Sequence, residues 1–580
     1  MKRKTLSARV RDGVRFALGS VALLQMTVGT SLAAVASPEN ASPRTASPIK
    51  HVIVIIGENR SFDHVFATYV PRRGESVWNL LSEGIVKADG SPGPNFARAA
   101  QHAASDPGSD AFLLSPAKTS FPNGVLPAPL VGGPSDSYIA DDSLKLAQQS
   151  ENGLPADYYG FLVTGGTGQT SKTPDQRIAN VGALPPGPFQ LTNGDTFTYN
   201  SYAASPVHRF YQMWQQLDCS LAHATARIPS GCDAGLFSWV EVTVGAGANG
   251  IPQPANFSTE YGPNLLTTGE GSTALGFYNV QNGDVPYFKS LADHYAMSDN
   301  FHQSVNGGTG ANHIMLGHGD AIYFSDGAGH AAVPPHNVEV ATGTANQGVV
   351  DEVENPNPAT GTNNWYSQDG YGGGSFGSPS YGGGSYTACA DTTQPGVAPI
   401  VKYLKSLPRA INPRCEAGHY YLLNNYNPGY FGNGNNAYTD TNSNNTVFTI
   451  PPSAVRSIGD SLLAAHVSWK YYGDQWNNYV PDPYQLNSGA VGKATDEYCN
   501  ICNPFQYDTS IMANAAVRNA HIQDTANLYS DIKNGTLPAV SFVKPSGLVD
   551  GHPASSKLDL FEGFTKKIVD AVQANKSLWK

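Results

Sequence analysis

Charged side chains are scarce in this sequence, at 14% of its 580 residues, whereas an average globular protein has about 25%. This scarcity argues against an array of solvated helices. After the N-terminal segment no run of Lys or Arg occurs, and the formal net charge is −11. We therefore expect no nucleic-acid partner. No segment beyond residue 36 is long and apolar enough to span a bilayer, so we also expect no stable membrane insertion.

Glycine and proline are abundant, with 61 and 41 residues, and 40% of the chain is hydrophobic. This composition predicts many loops around a substantial core. The length is compatible with roughly two to four average domains, or with one large α/β domain that carries insertions.

The first 36 residues are typical of a secretory signal peptide. Six basic residues and one acidic residue lie in this segment, an apolar stretch runs from Phe16 to Val35, and residues 34–36 form a small-residue cleavage site. We expect cleavage to release one domain, residues 37–580, with a formal charge of −16, as a secreted or periplasmic bacterial protein. An uncleaved membrane anchor is the alternative.

All six cysteines follow the predicted signal peptide. An even number in an oxidising compartment indicates three disulfides, for which about fifteen pairings are possible. Proximity in sequence favours Cys219–Cys232, Cys389–Cys415 and Cys499–Cys502. A redox motif at the last pair is an alternative, but no thioredoxin-like pattern surrounds it.

An apolar run from His51 to Ile56 predicts a strand that is buried on both faces. Six polar residues follow it, namely Glu58, Asn59, Arg60, Ser61, Asp63 and His64. In open α/β sheets, ligands bind beyond the carboxyl ends of the strands, and oxygen ligands suit hard cations. The strand end is therefore a candidate cation or phosphate site. The alternative is a helix cap, with Asn59 or Ser61 as the N-cap.

A second candidate is the glycine-rich stretch at residues 306–313, in which Thr309 is central and Asn312 and His313 follow. Such a loop lets backbone N–H groups approach an anion closely. The Thr309 hydroxyl would attack phosphorus if a metal ion lowered its pKa, with Asn312 steadying a phosphoryl oxygen. An ordinary helix start, capped by Thr or Asn, is the alternative.

Helix and strand patterns alternate in the C-terminal part, which predicts a parallel sheet. The spacing of apolar residues predicts helices at 78–86, 207–216, 519–534 and 558–573, an amphipathic turn at 287–295, and a strand at 537–543. His552 follows that strand, again at a carboxyl end. His208 and His521 lie on two of the predicted helices, where an ordinary surface position is the alternative interpretation.

Three of these motifs together resemble the bacterial phosphoesterase family: residues 56–64 (Ile-Gly-Glu-Asn-Arg-Ser-Phe-Asp-His), residues 308–312, and the strand 537–543 with His552-Pro553. That family includes phospholipases C and secreted acid phosphatases, and it lies within the alkaline-phosphatase-like superfamily. The resemblance extends from about residue 49 to the end. It implies an α/β fold with a mostly parallel central sheet flanked by helices.

The resemblance also implies roles for individual residues. Glu58, Asn59 and Thr309 would hold one divalent metal ion, Asn59 would also contact phosphate, and Thr309 would be the nucleophile. His552 would line the phosphate pocket, with His208 and His521 as counterparts of other pocket histidines.

Two features depart from the family pattern. Residues 320–498, which include a low-complexity segment at 361–387, are expected to be a long Gly/Asn/Tyr-rich insertion. In the family, the helix matching residues 558–573 leads into a strand that ends in paired acidic metal ligands, whereas the last residue of this sequence is Lys580. We therefore expect a truncated C-terminus and a site with fewer metal ligands.

The sequence thus predicts an exported, metal-dependent phosphoesterase that acts on a small phosphate ester, with monoesters favoured. A phospholipase C acting on choline-type phospholipid head groups is one alternative, because the motifs serve both reactions. A truncated, non-catalytic remnant that binds phosphate-bearing molecules is the other.

Overall fold

The structure is a computed structural model, and it describes residues 45–102, 185–192, 210–237, 240, 275–335, 338–340, 348–350, 352–355, 386–440, 449–483, 498–547, 549–552 and 558–579. The predicted signal peptide, His208 and most of the low-complexity segment lie outside these residues. No helix within the described ranges has the length and apolarity needed to cross a membrane.

Short helices and strands alternate along the described chain. In chain order the α-helices are α1 (Phe62–Phe66), α2 (Phe210–Gln216), α3 (Pro286–His294), α4 (Thr309–His318), α5 (Val397–Ser406), α6 (Ile458–Ala464), α7 (Trp476–Tyr479), α8 (Thr509–Met512), α9 (Ala515–His521), α10 (Thr525–Asn534), α11 (Leu558–Ala574) and α12 (Lys576–Trp579). The strands are β1 (Val52–Ile55), β2 (Phe189–Gln190), β3 (Gly276–Phe277), β4 (Val338–Val340), β5 (Gly348–Val350), β6 (Tyr386–Thr387), β7 (Tyr421–Leu422), β8 (Trp469–Gly473), β9 (Ile522–Asp524) and β10 (Val540–Lys544).

Four of these strands form a parallel central sheet in the order β1-β10-β8-β9. Parallel strands need crossover connections, and α10 supplies the one between β9 and β10. The predicted α/β class with a mostly parallel central sheet flanked by helices is confirmed. The carboxyl ends of all four strands therefore point to the same edge of the sheet.

Helices cover both faces of the sheet because side chains alternate along each strand. Tyr472 and Val543 face one side, where α10 and α11 contribute Leu528, Phe564 and Ile568 to the core. Tyr471 and Phe542 face the other side and pack against Phe505, Ile511 and Met512. Burial of these large apolar side chains is the main source of the stability of the sheet.

The strand β1 is less buried than the sequence predicted. Ile53 and Ile55 pack on one core and Val54 on the other, so both faces are in contact, but all three are only partly buried. Val52 is 47% exposed. Within the described part of the sheet β1 is an outer strand, which explains the incomplete burial.

The single helix predicted at 519–534 is wrong, because β9 divides it into α9 and α10. Ile522 pairs with Tyr471 and Asp524 with Gly473, so three residues join the central sheet. Asp524 then caps α10, since its side chain accepts a hydrogen bond from the backbone N–H of Ala526. The pairing of β9 with β8 outweighs the helical spacing of the apolar residues, which alone would favour one continuous helix.

The helix predicted at 78–86 is also wrong, since these residues form a series of turns. The Asn79 side chain donates to the carbonyl groups of Phe66 and Tyr69, both at 2.8 Å, and its amide oxygen accepts from the N–H of Ser82. Asparagine commonly stabilises turns in this way, and these bonds replace the helical ones.

The range 320–498 is not an insertion throughout, because it contains β8, a strand between β10 and β9 in the central sheet. The two-residue strands β6 and β7 pair within the same range. This part of the chain therefore contributes to the main fold.

Three disulfides join Cys219 to Cys232, Cys389 to Cys415 and Cys499 to Cys502. These are the pairs that proximity in sequence favours.

The helix α3 receives its N-terminal cap from a distant residue. Its own N-cap position, Val285, makes no side-chain cap. Instead the buried carboxylate of Glu562, on α11, accepts hydrogen bonds from the backbone N–H groups of Tyr287 at 2.8 Å and Phe288 at 2.9 Å. The negative charge also interacts favourably with the positive end of the helix.

We expect Glu562→Ala to lower the free energy of unfolding by roughly 3 kcal/mol, because two N–H groups lose a charged acceptor. Urea denaturation of the purified protein measures this change. Glu562→Gln retains one acceptor oxygen and serves as the control, with a smaller loss. Equal stability of all three proteins would contradict the capping role.

Candidate active site

Three distant segments converge beyond the carboxyl ends of β1 and β10. The Thr309 hydroxyl donates to Glu58 Oε2 at 3.4 Å, although 251 positions separate the two residues. Asn59 Nδ2 lies 3.3 Å from His552 Nε2. The polar clusters after the first strand, in the glycine-rich loop and after the last strand are therefore parts of one site.

Glu58 and Asn59 are held in place by the backbone of the same loop that carries His552. The N–H of Glu58 donates to the carbonyl of Asp550 at 2.9 Å. At Gly57 a Cβ atom would lie 2.3 Å from the ring of Phe561, so only glycine allows this close approach. Asn59 has a φ of 56°, in the left-handed region that asparagine tolerates better than most residues.

Ser61 is the N-cap of α1, since its hydroxyl accepts from the N–H of His64 at 3.2 Å. The helix-cap interpretation of this motif is therefore correct for Ser61, while Glu58 and Asn59 face the site.

Thr309 is the first residue of α4, and the loop before it packs tightly against residues that follow β7. The N–H of Gly308 donates to the carbonyl of Leu423 at 3.1 Å. The N–H of Gly310 donates to Asn425 Oδ1 at 2.7 Å. A Cβ at Gly308 would lie 2.4 Å from the same oxygen, so glycine is required at this position. Residues within the range 320–498, which the sequence marks as an insertion, thus position Thr309.

Asn312 does not steady a phosphoryl oxygen in this geometry. Its Oδ1 accepts from the N–H of Val305 at 3.1 Å, and its Nδ2 donates to the carbonyl groups of Val305 and Gly308 at 3.0 and 3.2 Å. Both ends of the amide brace the loop, and the role predicted for this residue is corrected accordingly.

His313 contacts Glu58 directly and is the main site residue that sequence reasoning undervalued. It lies one helical turn after Thr309, on the same face of α4. Its Nε2 donates to Glu58 Oε1 at 2.7 Å, and both side chains are 7% exposed. The spacing Thr309-x-x-x-His313 was the available signal, since residues four apart share a helix face.

Lys544, the last residue of β10, brings a buried positive charge to the site. It forms an ion pair with Asp550 at 2.8 Å, with both side chains at most 5% exposed. Burial alone would raise the pKa of Glu58, but the Lys544 ammonium and the hydrogen bond from His313 lower it to about 2. For Asp550, burial raises the pKa despite Lys544. Glu58 is therefore a stable carboxylate.

The structure places His521 away from this site. Its Nδ1 lies 2.7 Å from the carbonyl oxygen of Trp469, and its ring stacks on that indole. Trp469 begins β8, whereas the site lies beyond the other ends of the strands. A five-residue strand spans roughly 15 Å. The prediction that His521 is a pocket residue is therefore wrong.

The Glu58 and Thr309 oxygens are spaced compatibly with two ligands of one divalent cation. An ion with oxygen ligands at roughly 2.1 Å separates adjacent ligands by about 3 Å, close to the 3.4 Å between Glu58 and Thr309. Ligand atoms of Glu58, His313 and Cys502 also lie within 4.8 Å of one another. Cys502 is disulfide-bonded, however, and offers no thiolate.

Asp63, in the first turn of α1, is partly buried and structural. Its carboxylate accepts from the N–H of Leu80 at 3.1 Å. Burial outweighs that hydrogen bond and raises the pKa of Asp63 from 3.8 to about 6. The folded state therefore binds this proton more tightly than the unfolded state does.

A carboxyl group whose pKa is raised by folding stabilises the folded state at low pH. This stabilisation is lost as the pH rises through the pKa that the group has in the folded state. We expect this group to contribute at most roughly 3 kcal/mol, lost between about pH 4 and pH 6. In Asp63→Asn this pH dependence should disappear, and the variant should be more stable than the wild type at pH 8. Thermal unfolding from pH 4 to 8 measures both. Parallel curves for the two proteins would refute the assignment.

Asn425 offers a test of how α4 is positioned. Asn425→Ala leaves the buried N–H of Gly310 without its acceptor, which costs about 1–3 kcal/mol of stability. Asn425→Asp keeps an acceptor oxygen and should retain more stability. Urea denaturation of the wild type and both variants measures the loss, and wild-type stability of the alanine variant would exclude this role.

Comparison with known families supports the fold and identifies the family of this chain. The model of the Phosphoesterase family matches residues 168–580. The matched range includes Thr309, His552 and three strands of the central sheet, while the Glu58 motif precedes it. No curated protein matches the sequence significantly. Since the match covers more than half of the chain, this protein belongs to the phosphoesterase family, which hydrolyses phosphate esters.

Proposed function

We propose that this protein is an exported, metal-dependent hydrolase of phosphate monoesters with Thr309 as its nucleophile. The observation that carries the proposal is the convergence of the Thr309 hydroxyl, the Glu58 carboxylate and the Asn59–His552 pair at one sheet edge. A hydroxyl nucleophile implies hydrolysis in two steps, through a phosphothreonine.

The position of Thr309 at the start of α4 favours attack on a phosphoryl group. The first N–H groups of a helix and its dipole attract negative charge. The dipole of the ten-residue α4 therefore favours both an ionised Thr309 oxygen and the charge of the phosphoryl oxygens.

Glu58 orients the nucleophile and is a weak base. Its low pKa keeps it ionised, so it accepts the hydrogen bond of the Thr309 hydroxyl and fixes the direction of the oxygen lone pairs. Asn59 follows Glu58 directly in sequence, and its amide contacts the His552 ring. Asn59 would donate to a phosphoryl oxygen, and His552 would hydrogen-bond or protonate oxygens of the transferred group.

Glu58, Asn59 and Thr309 would hold one divalent ion. When bound, such an ion supplies positive charge that lowers the pKa of a hydroxyl and stabilises phosphoryl oxygens. His313 and Lys544 keep the carboxylate ionised and oriented for that purpose.

The nucleophile is tested by Thr309→Ala and Thr309→Ser. We expect the alanine variant to lose at least ~10³-fold in kcat on p-nitrophenyl phosphate, because no side-chain oxygen remains to attack. The serine variant keeps the hydroxyl and should retain measurable turnover. Mass spectrometry of acid-quenched wild-type protein should detect a phosphate on Thr309. Equal kcat for the wild type and the alanine variant would exclude the proposed role.

The substrate class is tested in the same assays. Turnover of p-nitrophenylphosphorylcholine in preference to the monoester would replace the proposal by a phospholipase C activity. No turnover of either substrate, together with no divalent metal retained after dialysis, would indicate a non-catalytic phosphate-binding protein.

A further inference from the structure

The disulfide Cys499–Cys502 lies directly beneath the candidate active site. Cys502 Sγ is 3.6 Å from Glu58 Oε1, the same oxygen that His313 contacts at 2.7 Å. The side chains of Glu58, His313 and Cys502 are all buried. No step of the proposed hydrolysis uses this sulfur, and a disulfide sulfur is a poor metal ligand.

We propose that reduction of the Cys499–Cys502 disulfide creates a second type of metal site, in which Glu58, His313 and Cys502 bind Zn²⁺. A carboxylate, an imidazole and a thiolate form a typical ligand set for zinc with one open position. Tetrahedral zinc separates its ligand atoms by roughly 3–4 Å, and in this protein they lie within 4.8 Å of one another. The oxidised protein keeps an oxygen-rich site for harder cations.

Burial determines which sulfur a reductant attacks. Cys502 is fully buried, while Cys499 is partly exposed. A thiolate of an external dithiol would attack Cys499 Sγ, and the Cys499–Cys502 bond would break with its electron pair on Cys502. The second thiol of the dithiol then displaces Cys499 and closes the reductant's own disulfide. Two electrons and two protons reach the protein, and Cys502 releases its proton when it binds zinc.

Contacts other than the disulfide hold Cys502 near Glu58. The Tyr471 hydroxyl donates to the carbonyl of Cys502 at 3.4 Å. The Asn500 amide donates to Asn427 at 3.1 Å. Because these bonds do not involve sulfur, the freed thiol stays in reach of the carboxylate after reduction.

Cobalt(II) is a suitable probe, because a cobalt–thiolate bond gives a near-ultraviolet charge-transfer band that oxygen and nitrogen ligands do not give. Cys499→Ser frees Cys502 without any reductant, and Cys502→Ser is the matched control that frees Cys499 instead. We expect the band in Cys499→Ser as purified, and in the wild type only after treatment with a dithiol. Competition with a chelator should show that Cys499→Ser and the reduced wild type bind Zn²⁺ at least ~10-fold more tightly than the oxidised wild type does.

Cys502→Ser treated with the same dithiol controls for the other two disulfides, and it should show no band. A band of equal strength in this variant, or none in both Cys499→Ser and the reduced wild type, would overturn the proposal. The reduced wild type keeps the test valid if a serine variant does not fold. Thr309→Ala should leave the band unchanged, which separates this site from the proposed nucleophile.

Discussion

The buried charge of Glu58 is the constraint on which the site depends. An isolated carboxylate in a protein interior is costly, and it stays ionised only if positive charge and hydrogen-bond donors surround it. Lys544 and His313 provide both, while Thr309 donates to the second oxygen. Because these partners come from β10 and α4, ionisation of Glu58 links the two sides of the site to each other.

The loop that carries Thr309 is stabilised by a part of the chain that composition alone marks as irregular. Leu423 and Asn425 accept the N–H groups of Gly308 and Gly310, and β8 from the same range pairs with β10. Asparagine-rich segments are suited to this task, since short amide side chains satisfy backbone groups in turns. A region without a clear pattern can therefore determine the geometry of a reactive hydroxyl.

Two of the four central strands, β1 and β10, and the polar residues that follow them could be predicted from local patterns. The run of β1 is apolar and β-branched, β10 overlaps the largely apolar run 537–543, and α11 has helical spacing throughout. The three residues of β9 could not be recognised, because a strand this short carries too little pattern and depends on pairing with β8. Asn312 and His521 were misjudged since their partners, Val305 and Trp469, are known only from the fold.

The sequence by itself determined which residue types follow the strands, the glycines that allow close approach, and the helical spacing of Thr309 and His313. Only the tertiary structure decided which of those residues meet. Contacts such as Glu58 with Thr309, or Glu58 with Cys502, span hundreds of positions. Their formation depends on sheet order and on the packing of helices against the sheet, and neither is encoded in local periodicity.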